Sequence, residues 1–169
     1  MRVLLAFDKC KGSLTAEQMC SLARSSLVSQ SKDFIYDSVP LTDGGEGFSS
    51  ILTMGVHGEH RQLEVQDSLA RTKTVGFGLC RADRLNPNAV DFLGLSGSEK
   101  LAILEMASVV GLADLKEGER NPWKTTTLGV GDLLREAVRL GVEVILLGIG
   151  GSSTNDAGLG ALSSLGLRF

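Results

Sequence analysis

The sequence is poor in the residues that staple a fold covalently, bind structural metals or anchor a chain in a bilayer. Its three cysteines, Cys10, Cys20 and Cys80, are too few and too widely spaced for a disulfide framework. With no CxxC pair and no Cys/His cluster they define no structural zinc site, and a reducing compartment fits them. Only two histidines occur, His57 and His60, next to an expected helix end. Two surface histidines beside a turn account for them without a metal. No apolar run reaches the roughly 18 residues of a membrane span, and the opening MRVLLAF is too short for a signal-peptide core. Basic runs are missing too. The 17 Lys and Arg are scattered among 20 Asp and Glu, for a net charge of −3. That excludes a dedicated nucleic-acid or anionic-membrane surface and predicts a soluble, cytoplasmic chain. There is no GxxxxGK[ST] loop, no GxGxxG fingerprint, no protein-kinase signature set and no internal repeat.

What is present is a globular composition: 169 residues, 43% hydrophobic and 22% charged, enough for one domain or part of a larger one. Residues 3–7 read as a buried strand. Thr15 and Gln18 stand at N-cap and capping-box positions before a helix expected to fade at Ser31, Lys32 and Asp33. Residues 34–40 read as a second strand, and a short helix is expected over 46–54. This β-α-β-α order predicts a parallel, helix-covered sheet. Residues 61–66 and 72–79 instead alternate polar and apolar, as antiparallel half-buried strands do, with a turn at 67–70 and a loop over 83–97. The change suggests a subdomain grafted onto the parallel sheet. A strand at 101–106 follows, then a helix after Thr125-Thr126-Thr127 closed by Gly141 as its C′ residue. A strand at 142–147 and an apolar stripe of Leu159, Leu162 and Leu165 end the pattern. The fold class is therefore α/β. Residues 1–60 form the first part of a layer, and residues 61–169 the start of a second α/β domain with the units after it. The sequence stops at Leu167-Arg168-Phe169, on entry to a possible next strand, which reads as truncation at the C-terminus.

Four loops combine glycine, hydroxyl and acid: residues 8–13, 42–47, 125–131 and 148–158. At least three are expected at one edge of a parallel sheet, where doubly wound folds bind ligands. Glycines let backbone N–H groups approach a phosphate, hydroxyls bind its oxygens, and acids hold Mg²⁺ or take a hydroxyl proton. Each loop also has a plain reading. Asp8 could cap a turn, Asp43 and Glu46 could be N-cap and capping-box partner, the threonines could cap a helix, and Ser152 to Asp156 could be turn and cap. Glu105 could be a strand-end acid at a junction.

Taken in order, DKCKGSL at 8–14, PLTDGGEG at 40–47, EMAS at 105–108, RNP at 120–122, TTTLGVGD at 125–132 and GIGGSSTND at 148–156 resemble the glycerate kinase family, with Cys10 where an aromatic residue is common. The resemblance covers almost the whole chain and matches the amino-terminal part of longer family members. It implies a Rossmann-like or flavodoxin-like parallel sheet with an inserted second α/β subdomain. It also implies ATP-dependent phosphorylation of D-glycerate with Mg²⁺, to a phosphoglycerate expected to be 2-phosphoglycerate. In that frame Asp8, Lys11, Asp43 and Glu46 are the catalytic candidates. Ser13, Gly44, Gly45, Thr126, Thr127, Gly150, Gly151, Ser152, Ser153 and Asn155 are candidates for substrate or phosphate, and Asp43 and Asp156 for the metal. A homo-oligomer stays open. So do a non-catalytic binding or interaction fragment and a kinase for another small hydroxy acid.

Overall fold

The structure is a computed structural model that describes residues 1–30 and 33–169. The expected fading of the first helix at Ser31 and Lys32 lies outside the described residues. The chain separates into two compact units, Met1–Asp43 and Gly44–Phe169. The boundary expected near residue 60 falls within the second.

The first unit is a β-α-β: β1 (Arg2–Leu5), α1 (Ala16–Gln30) and β2 (Ile35–Ser38). The strands pair in parallel, with Arg2 opposite Ile35 and Leu5 opposite Ser38. Thr15 and Gln18 form the expected capping box at the start of α1. The Gln18 N–H donates to the Thr15 hydroxyl at 3.2 Å, and the Thr15 N–H donates to Gln18 Oε1 at 2.8 Å. Leu5, Ala16, Cys20 and Tyr36 make the small buried centre of this unit. The strand expected over 3–7 stops at Leu5 as a ladder, yet the backbone keeps its alignment. The N–H groups of Val39 and Leu41 still donate to the carbonyls of Leu5 and Phe7, both at 2.9 Å. That alignment delivers residues 8 and 43 side by side.

The second unit is built on a four-stranded mixed sheet, β3 (Glu59–Gln66), β4 (Thr72–Arg81), β5 (Lys100–Glu105) and β6 (Val144–Gly148), in that spatial order. β3–β4 and β4–β5 are antiparallel, and β5–β6 are parallel. The shift in composition at residue 61 therefore marks the antiparallel half of this unit's mixed sheet. Asp67 holds its turn. The N–H groups of Leu69 and Arg71 donate to Oδ1 at 2.8 and 2.9 Å, and Arg71 Nε donates to Oδ2 at 2.6 Å. Burial alone would raise the Asp67 carboxyl; these donors outweigh it and keep its pKa below the ordinary value.

Helices cover both faces of this sheet. Val75, Phe77, Leu79, Ala102 and Leu104 pack with buried residues of α4 (Met106–Val110) and α5 (Leu128–Arg139). Leu101 and Ile103 pack on the opposite face, toward Phe48 and Leu52 of α2 (Phe48–Gly55). That double cover is why β5 reads as an unbroken apolar run. The segment expected as loop over 83–97 instead contains a 3₁₀ turn, Ala82–Arg84, and a helix, α3 (Pro87–Phe92). Asn86 caps α3 by accepting the Asn88 N–H at 2.9 Å, and Pro87 occupies its first turn. The Asn86-Pro87-Asn88 stretch that reads as loop is thus a cap and first turn. α5 ends as expected at Gly141, φ 72°, with the N–H groups of Gly141 and Val142 donating to Val138 and Ala137 carbonyls. α6 (Leu159–Ser164) carries the last apolar stripe.

Candidate active site

In the first unit the lysine that meets the acids is Lys9. Its Nζ lies 2.7 Å from Asp43 Oδ1 and 3.8 Å from Asp8 Oδ1, with the Lys9 side chain only 12% exposed. Asp8 also accepts the Lys9 N–H through Oδ1 at 2.7 Å, so its turn-capping role is real. Two motifs 34 residues apart therefore join through one buried-stem ammonium at the carboxyl end of the β1–β2 pair. Lys11 and Ser13 lie exposed on the turn closed by the Cys10–Leu14 bridge. The sequence reading names Lys11 as the catalytic candidate, because nothing in the string says which lysine the turn brings to the acids.

In the second unit the glycine-rich ends pack on one another. The Gly150 N–H donates to the Gly44 carbonyl at 2.9 Å, so it is not aimed at a ligand. A Cβ on Gly150 would stand 2.9 Å from the Gly45 backbone, and one on Gly148 would stand 2.6 Å from the Phe48 ring. A Cβ on Gly151 would meet Glu46 Oε1 at 2.8 Å. Gly44, Gly45, Gly150, Gly151 and Glu46 are thus brought together, with close backbone approach as the reason for glycine. The helix start that follows is capped from a distance. Gly47 is its N-cap in the left-handed region, φ 90°, without a side-chain cap of its own. Glu105, 6% exposed at the end of β5, accepts the Gly47 N–H at 3.3 Å and the Ser49 N–H at 3.0 Å. A carboxylate of the protein sits where an anion would otherwise meet the α2 N-terminus. The N-cap position itself is Gly47, and the carboxylate that serves this helix start lies 58 residues away, where the sequence hides it.

Asp156 is the centre of a hydrogen-bonded knot. Oδ2 accepts the Thr127 N–H at 2.8 Å, the Thr127 hydroxyl at 2.9 Å, the Thr126 hydroxyl at 3.3 Å and the Gly160 N–H at 3.2 Å. Oδ1 accepts the Gly158 N–H at 3.2 Å. Burial works to raise this carboxyl, and the bonds from Thr127, Gly160 and Gly158 more than offset it, so its pKa is lowered. Thr126 and Thr127 are spent on this contact, and Thr127, the N-cap of α5, makes no side-chain cap bond to its own helix. Ser153 is spent too: its N–H and hydroxyl both donate to the Val110 carbonyl at 2.8 Å, and its carbonyl accepts the Thr125 hydroxyl at 2.9 Å.

Ser152, Thr154 and Asn155 stay at the surface of the loop and line a cleft of about 340 Å³ shared with residues 112–122. The donor set does not make a Mg²⁺ cage. Among the described residues no three His, Cys, Asp or Glu converge. Asp156 has both oxygens engaged, and Asp43 Oδ1 faces Lys9. His57 and His60 are exposed. Mg²⁺ commonly arrives on phosphates, with one or two protein carboxylates added.

Fold and site define an α/β protein whose polar loops cluster at the carboxyl ends of two parallel strand pairs, the usual ligand edge of α/β proteins. A sequence profile of the Glycerate kinase family matches residues 3–169, and the chain belongs to that family. It is 37% identical over 168 residues to a glycerate kinase of Haemophilus influenzae, covering 99% of this chain and 40% of that protein. It is 32% identical over 169 residues to the glycerate 2-kinase of Escherichia coli K12, covering all of this chain and 40% of that protein. A crystal structure assigned as glycerate kinase 2 from Salmonella typhimurium LT2 superposes with a TM-score of 0.69 at 33% identity, over 98% of this chain and 41% of that one. The chain thus spans about 40% of the length of the curated relatives it matches.

Proposed function

We propose that this chain serves ATP-dependent phosphorylation of D-glycerate, to 2-phosphoglycerate, and contributes one wall of the cleft in which the transfer occurs. The observation that carries the reading is the convergence of Asp8, Lys9 and Asp43, because phosphoryl transfer needs charge neutralisation and positioning more than covalent chemistry. In this reading Lys9, joined by the exposed Lys11, offsets the charge of a phosphate or carboxylate. Asp43 orients the reacting hydroxyl and takes its proton. Ser13 adds a hydroxyl donor; within the second unit Ser152 and Asn155 are the candidates for substrate or phosphate. Gly44, Gly45, Gly150, Gly151, Glu46, Ser153, Thr126, Thr127 and Asp156 fix the backbone of the second unit's own loops. ATP brings Mg²⁺ on its phosphates. The position of transfer follows the Escherichia coli relative, a glycerate 2-kinase. No helix among the described residues is long and apolar enough to cross a membrane, which agrees with a cytoplasmic setting.

The test is D-glycerate-dependent ADP release by the whole protein, with the product identified by NMR. Release together with 2-phosphoglycerate supports the reading. Binding of D-glycerate and ATP–Mg to the folded protein without turnover would replace it with a non-catalytic binding module, and turnover with a different hydroxy acid alone would change the substrate.

A further inference from the structure

The cleft beside the 148–158 loop has a chemistry of its own. Its polar lining is Arg120, Asn121, Ser152, Thr154 and Asn155 with Ser153, over an apolar side that includes Leu115 and Pro122. None of the lining residues is acidic. The nearby acids of the same segment are engaged elsewhere: Asp114 with Lys73 and Glu119 with Arg71. The Arg120 Nε donates to the Leu115 carbonyl at 3.4 Å, at the long limit of a hydrogen bond, and among the described residues its guanidinium makes no other. The Asn155 side chain is exposed and likewise makes no hydrogen bond among the described residues. The Ser152 and Thr154 hydroxyls lie 2.8 Å apart and share one hydrogen bond, which leaves one of the two protons to offer outward. A guanidinium fork, two carboxamides and a hydroxyl pair, with no carboxylate among them, form a donor-rich, anion-selective surface.

We propose that this cleft is an anion subsite, with Arg120 as its charged anchor, that takes the carboxylate of a small hydroxy acid or a phosphate group. The proposal deepens the kinase reading and rests on it only for where the anion comes from. Arg120 binds the anion as a fork, and Asn155 and the Ser152–Thr154 pair fix its remaining oxygens. The rigid loop beneath, held by the Ser153 bonds to Val110 and by the Asp156 knot, keeps these donors in place.

The experiment titrates the 169-residue chain with sodium phosphate, with D-glycerate and with neutral glycerol, reading amide shifts by NMR. Perturbation at residues 120–122 and 152–155 by at least one anion, and not by glycerol, is expected. Arg120→Gln raises the dissociation constant about tenfold, the scale of one hydrogen bond to a charged group, and Arg120→Lys falls between. Asn155→Ala, at an exposed position, weakens binding less and without unfolding. A response to D-glycerate alone assigns the carboxylate, and a response to phosphate alone assigns the phosphate. No response to either anion, an equal response to glycerol, or binding unchanged in Arg120→Gln overturns the proposal. Anion binding here without turnover by the whole protein would overturn only the kinase reading. Turnover with an unchanged KM in Arg120→Gln would overturn only the subsite.

Discussion

The acids of the two units face opposite tasks although their loops share one composition. Asp43 is 55% exposed and faces a lysine. Asp156 and Glu105 face backbone N–H groups and hydroxyls, which use their lone pairs to hold loops and a helix end. An acid that accepts from peptide N–H groups and hydroxyls of neighbouring loops serves the scaffold. One that is itself exposed and pairs with a lysine ammonium can take part in binding a charged ligand. Glycine, hydroxyl and acid in one loop therefore do not distinguish a site from a support; the identity of the hydrogen-bond donors does.

The contrast predicts a graded series of stability effects. Asp156→Ala strands the donors of Thr127, Thr126, Gly158 and Gly160, and the loss is about 3 kcal/mol by denaturant unfolding. A pH arm sharpens this. The Asp156 carboxyl is depressed in the folded state, so its contribution is complete above the ordinary carboxylate pKa and disappears as pH falls through the folded value. The melting temperature of the parent chain should drop more steeply below about pH 4 than that of Asp156→Ala. Next, Gly150→Ala forces a Cβ against the Gly45 backbone and costs about 2 kcal/mol, an overpacking effect seen in the same unfolding curves. Glu105→Gln keeps the shape but removes the charge at the α2 N-terminus, costing about 1 kcal/mol. Smallest is Asp43→Asn, at a carboxylate that is 55% exposed and with Asp8 still beside Lys9, where unfolding shifts by under about 1 kcal/mol. If Asp43→Asn destabilised the chain as much as Asp156→Ala, the division between site and scaffold would fail.

The sequence announces what is local. The Thr15–Gln18 capping box, the strand alternation of the hairpin and the Gly141 helix end all lie within a few residues of their cause, and each forms as expected. Family membership is legible as well, because six short motifs recur in order. What stays hidden is set by contacts between distant residues. Glu105 caps a helix that starts 58 residues earlier, Lys9 rather than Lys11 reaches Asp43, and Asp156 draws in threonines 29 and 30 residues away. The glycines of 148–151 look like a phosphate floor because such a floor and tight backbone packing require the same residue. Only the position of Gly44 and Gly45 tells them apart. Arg120 carries no signal in the string beyond its place in the RNP motif; its interest comes from a cleft without acids.

The most direct test of the division is D-glycerate-dependent ADP release by the whole protein carrying Asp43→Asn, with its melting temperature measured on the same sample. The account predicts a loss of at least about a hundredfold in turnover, the range of a positioned proton acceptor, with melting nearly unchanged. Turnover equal to the parent, or a loss that follows unfolding, would contradict it.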